Sequence, residues 1–75
     1  PTSGIYNIGV ALDRQEWVSW QVFDVRGLLV GDAATQLLPA GDHALPWDAS
    51  GVEEGIYLCR VTVGDEVVVV KVVRK

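Results

Sequence analysis

One histidine and one cysteine supply the side chains of this chain that best suit attack or proton transfer near neutral pH. A thiol nucleophile needs a base in hydrogen-bond reach and a third group that orients the base. His43, with Asp42 and Asp48 nearby, and Cys59 would form such a set only if two strands met. Against that, Cys59 alternates with Tyr57 and Val61 on an apolar face, the place of a small core hydrophobe. No oxyanion-forming loop accompanies it. A lone cysteine also forms no internal disulfide and no cysteine-built metal site.

Asp24, Asp32, Asp42, Asp48 and Asp65 recur in Gly-containing stretches. Calcium loops interleave their acids as D-x-D-x-D-G, a spacing missing here, and Asp is favoured in turns for its own hydrogen bonding. Of the tryptophans, Trp20 and Trp47 fall on apolar alternation and belong to a core, whereas Trp17 sits on a polar side, where a sugar ring could stack. No pair of acids is bracketed by apolar residues. These residues point to no enzyme, metal or cofactor, and to a binding module.

Charge carries more information than nucleophiles. Residues 1–70 hold ten acids against three bases, a balance of −7, and Lys71, Arg74 and Lys75 bring +3, giving the net −4. An acidic chain is a poor ligand for nucleic acid. The basic end has a plain reading as a cap that keeps a strand edge from aggregating. The apolar run Val67–Val70 is far shorter than the roughly 20 residues of a membrane-spanning helix. A first residue Pro1, with neither Met nor a signal sequence, is expected of a module from a longer protein.

The elements that must position these residues are all strands. At 75 residues the chain is expected to form one domain, burying about 60–65% of the surface exposed on unfolding. Ile5 to Leu12 reads as a first strand, with Ile8, Val10 and Leu12 inward and Gly9 as a possible bulge. Asp13–Glu16 is a connection of hairpin length. Trp17 to Val25 is a second strand, turning at Asp24–Gly27 into a short third strand, Leu28–Val30. Ala33–Leu38 reads as a loop or short edge strand. His43 to Trp47 is a short strand confined to an edge by Pro46. After a compact loop with Val52 tucked inward comes the hairpin of residues 55–75, turning at Gly64-Asp65 in type II′ geometry.

Six to seven short strands without a helix predict an all-β fold, a small immunoglobulin-like antiparallel β-sandwich. In the last strand, parity places Val68, Val70 and Val72 on the core side and Val67, Val69 and Val73 beside Lys71. Both faces therefore carry valine, and the face shared with Lys71 needs cover. A groove or an added strand of a partner would provide it, with Lys71, Arg74 and Lys75 meeting acids at the rim.

Several segments, in order, match a known family: Pro1-Thr2-Ser3-Gly4, residues 18–30 (VSWQVFDVRGLLV), residues 38–43 (LPAGDH), Trp47-Asp48-Ala49-Ser50, Gly55-Ile56-Tyr57 and Lys71-Val72-Val73-Arg74-Lys75. Together they resemble the C-terminal sorting domain of the type IX secretion system of Gram-negative Bacteroidetes. The resemblance implies that a larger cargo protein carries this domain, enters the periplasm by a signal peptide and folds there. It further implies recognition at the outer membrane by a translocon and a barrel-shaped shuttle protein, then removal by a sortase-like cysteine protease. The cargo would travel from the periplasm to the outer membrane, the cell surface or the extracellular space, often coupled to lipopolysaccharide.

By the same resemblance, Gly55 and Tyr57 form the glycine–tyrosine motif, and Lys71, Val72, Val73, Arg74 and Lys75 the basic terminal motif read by the translocon. Pro1 and Gly4 match the opening motif, whose first proline is missing. The alternative is an immunoglobulin-like module related to the flagellar hook-capping protein and retained in a secreted hydrolase or adhesin. That module has a longer insert where only Ala49 to Glu54 separate Asp48 from Gly55, so the spacing favours the sorting domain.

Overall fold

A computed structural model describes residues 4–75, so the Pro1 part of the opening motif lies outside the described residues. The chain forms six strands: β1 (Ile5–Leu12), β2 (Glu16–Phe23), β3 (Ala34–Leu38), β4 (Gly41–Asp48), β5 (Gly55–Val63) and β6 (Glu66–Arg74). They make two antiparallel sheets, β1-β4 and β3-β2-β5-β6, stacked as a small β-sandwich.

Period-two patterning accounts for the stacking. Ile8, Leu12, Leu45 and Trp47 of the small sheet close over Val18, Trp20, Val22, Tyr57, Cys59 and Val61 of the large one. The indole N–H of Trp20 donates to Pro46 O across the gap at 3.0 Å, tying the two layers with a polar contact. Cys59 is fully buried among these side chains, as its alternation implies.

Several expectations are corrected. β1 and β2 do not form a hairpin, because both turn apolar faces inward and lie in opposite sheets, so Asp13–Gln15 crosses between layers. Gly9 marks no bulge, since it pairs with Ala44 in an unbroken register. Leu28–Val30 is too short for a strand and makes one bridge, Phe23 to Leu29, with Val30 N donating to Val22 O at 2.7 Å. Of the two readings of Ala33–Leu38, the short edge strand is the one that forms, as β3. The turn after β2 forms where the sequence places it: Asp24 Oδ1 accepts from the N–H groups of Arg26 and Leu28.

The terminal hairpin matches its pattern. Gly64 has φ +56° and Asp65 has no positive φ, which selects type II′ over type I′. Tyr57 pairs with Val72, Cys59 with Val70 and Val61 with Val68 on the inner face. Val68 nevertheless remains 55% exposed. Its parity is right, but it lies on the edge strand, where the two-stranded sheet gives it little cover.

Candidate recognition surface

The residues suited to nucleophilic chemistry do not assemble. His43 Nε2 lies 2.7 Å from Pro39 O, and a carbonyl only accepts, so that nitrogen carries its proton into a turn contact. Asp48 sits on the same strand as His43 with opposite parity, and its Oδ1 accepts from Ser50 N at 2.9 Å. Hydrogen bonds from the Ser50 side chain and then its backbone hold the Asp48 carboxyl below the usual carboxylate range. Burial pushes the Cys59 thiol up, away from the thiolate that a nucleophile needs. Among the described residues no three His, Cys, Asp or Glu gather to hold a metal ion. Trp17 is 61% exposed opposite Leu37, while Trp20 and Trp47 are core residues, as their alternation implies.

The two motifs of the hairpin converge on one corner. Gly55 has φ +154°, a region open essentially to glycine, and pairs with Arg74. Tyr57 is 8% exposed, packs tilted against Trp47 at 5.4 Å and 54°, and donates its hydroxyl to Glu53 O at 2.6 Å. Trp47 meets Tyr6 in turn at 5.8 Å. Arg74 lies over the Tyr6 ring at 5.9 Å and donates Nε–H to Ala49 O at 3.2 Å. Ala49 N donates to Gly4 O at 2.9 Å, and Lys75 N to the Tyr6 hydroxyl at 3.2 Å. The Lys75 backbone N–H and then Arg74 favour the phenolate, so Tyr6 titrates below an ordinary tyrosine.

This corner clamps both ends of the described chain to the start and finish of the small sheet. Gly4, from the opening motif, is part of it: a Cβ there would lie 3.4 Å from Ser50 N and 3.5 Å from Arg74 Nη2. Tyr6 did not stand out in the sequence, and Ala49 did so only within Trp47-Asp48-Ala49-Ser50; their neighbours in space give them this role.

Lys71 and Val73 of the terminal motif face the other way. Val73 pairs with Ile56 and Lys71 with Leu58 on the outer face of the large sheet, which Val69 opposite Arg60 and Val67 opposite Thr62 continue. On β2 the same face continues through Phe23, Gln21 and Ser19, opposite Leu58, Arg60 and Thr62. Val67, Val69 and Val73 are all exposed, and so are Ile56 and Leu58. A shallow groove of about 310 Å³ opens there, lined by Phe23, Val25, Leu58, Arg60 and Val69 and bounded by Asp24 and Gly27.

The family model of the secretion system C-terminal sorting domain matches residues 1–75, the full chain. The chain belongs to this sorting-domain family. It is a type IX C-terminal sorting signal, of a family that is not an enzyme family, and such a signal directs the cargo that carries it toward the outer membrane or cell surface. No curated protein and no solved structure matches the chain significantly. In the sorting domain, then, Gly55, Tyr57, Val72 and Arg74 gather in the clamped corner, while Lys71 and Val73 stand on the outer face.

Proposed function

We propose that residues 1–75 act as one folded address, captured at the outer membrane by a barrel-shaped shuttle protein of the type IX machinery and then removed by a sortase-like protease. The supporting observation is the division of the motif residues between two faces. Tyr57, Val72 and the half-buried Arg74 pack and bond within the domain, which suits them to building a shape; Lys71 and Val73 lie on the outer face that shape presents. The signal is on this reading a surface, with Gly55 and Tyr57 acting through the fold and Lys71, Val73 and Lys75 available to a partner.

The experiment uses the full-length precursor in a type IX-secreting host. Deleting Val72–Lys75 removes a core valine and the Arg74 clamp together, and is expected to leave the cargo in the periplasm. Cargo that still reaches the surface after this deletion overturns the address reading. Mass spectrometry of mature surface cargo tests removal: cargo lacking residues 1–75 is expected, and cargo retaining them favours an accessory module.

A further inference from the structure

The outer face of the large sheet has an electrostatic character that the rest of the chain does not share. Its strand positions alternate apolar and small polar residues with Arg60 and Lys71 and include no acid, in a chain whose net charge is −4. Glu16 and Glu66 have the parity of the inner face, and Asp24, at the groove's rim, is paired with Arg26 at 3.3 Å. Arg60 is held in place: Gln21 Oε1 accepts from its Nε and Nη2 at 3.1 and 2.7 Å, and its guanidinium stacks 5.4 Å over Phe23. Those bonds leave part of the donor fork open toward solvent. The Lys71 ammonium makes no hydrogen bond or ion pair among the described residues.

We propose that this face, centred on Phe23, Leu58 and Val69 and bearing Arg60 and Lys71, docks a partner protein through an apolar patch that carries carboxylates. The proposal rests on the address reading and names the chemistry of what reads it. Exposed valine and leucine beside an open sheet edge need cover. A guanidinium already fixed by Gln21 and Phe23 loses little freedom on meeting a carboxylate, so the cation is prepared for its partner.

Charge selects among occupants. A second copy docking face to face would set Arg60 and Lys71 against their own equivalents, because a two-fold contact is self-complementary. An anionic lipid surface is bound by clusters of about 4–8 basic residues, and this face offers Arg60 and Lys71 on an acidic chain. A protein surface with carboxylates among apolar side chains satisfies both the valines and the cations.

The test compares precursors carrying Lys71→Glu with Val69→Thr, or Arg60→Glu, against the charge-retaining Lys71→Arg. Lys71 and Val69 hold no side-chain hydrogen bond, so the double variant is expected to melt within about 2 °C of the wild type. Its cargo at the cell surface is expected to fall about tenfold or more, with precursor accumulating in the periplasm and Lys71→Arg exporting normally. Wild-type export by the double variant and by Arg60→Glu overturns the inference. If deletion of Val72–Lys75 blocks export meanwhile, the address reading stands and only this surface falls.

Three further results also overturn it. A melting point lowered by more than about 5 °C in the double-variant precursor would assign the face to packing within the precursor. Dimerisation in sedimentation equilibrium that the variant abolishes would assign it to a second copy. Co-sedimentation with phosphatidylethanolamine–phosphatidylglycerol vesicles, lost in the variant, would assign it to lipid.

Discussion

Replacing Tyr57 separates its place in the core from any direct part in recognition. The side chain is buried against Trp47 and Val72, and its hydroxyl bonds Glu53 O at 2.6 Å. Tyr57→Phe keeps the ring and removes the hydroxyl, at a cost of about 0.5–1.5 kcal/mol for one hydrogen bond. Tyr57→Ala removes the ring as well and is expected to cost about 3–5 kcal/mol, as a buried Phe would. At 75 residues, total stability is of the order of 4–11 kcal/mol, with small domains toward the lower end. The Ala variant thus loses much of what holds the domain together.

Urea and thermal unfolding, followed by circular dichroism, measure both steps. In a domain of this size each kcal/mol lost lowers the melting point by about 4–8 °C, so the Phe variant stays folded at growth temperature while the Ala variant is partly unfolded. Export is expected to follow stability, normal for Phe and lost for Ala. A Tyr57→Ala domain within about 1 kcal/mol of the wild type would refute the packing account. A stable Tyr57→Phe domain that is not exported would show that a partner reads the hydroxyl.

Arg74→Ala removes the bond to Ala49 O and the stacking on Tyr6, with an expected loss of about 1–2 kcal/mol in urea unfolding. Arg74→Lys is expected to recover only part of this, since an ammonium lacks the planar fork. Acid should weaken the fold through Asp24 and Asp48. Asp24 is lowered first by the Leu28 N–H and then by Arg26, and Asp48 by Ser50. Folding lowers both values, so their contribution is complete above the unfolded value of about 3.9 and is lost as pH falls through the folded values. Urea midpoints measured from pH 7 downward should drop below about pH 4, and Asp24→Asn with Asp48→Asn should flatten that drop.

Much of the fold was legible because a strand announces itself through period-two alternation. Val18-Trp20-Val22 and Tyr57-Cys59-Val61 gave their inward faces directly, and Gly64-Asp65 gave the turn between the last two strands. The partners of strands were less legible. Nothing in Asp13–Gln15 distinguishes a hairpin loop from a crossover between sheets, because the same short polar segment serves both. Leu28–Val30 has strand composition, but the turns on either side leave too little length for a ladder.

The candidate site divides in the same way. The sequence by itself determined a valine-rich hairpin with a basic end, the side of the last strand on which each valine stands, and membership of the sorting-domain family. Alternation is a local property of the backbone, so neighbouring residues suffice to settle it. Tertiary structure decided that Lys71 and Arg74, three residues apart in one basic motif, serve opposite faces with different neighbours. Odd and even positions part across the sheet, and what each then meets depends on the strands stacked there: Tyr6 and Ala49 beneath Arg74, and beside Lys71 the exposed Val69 and Val73 of its own strand.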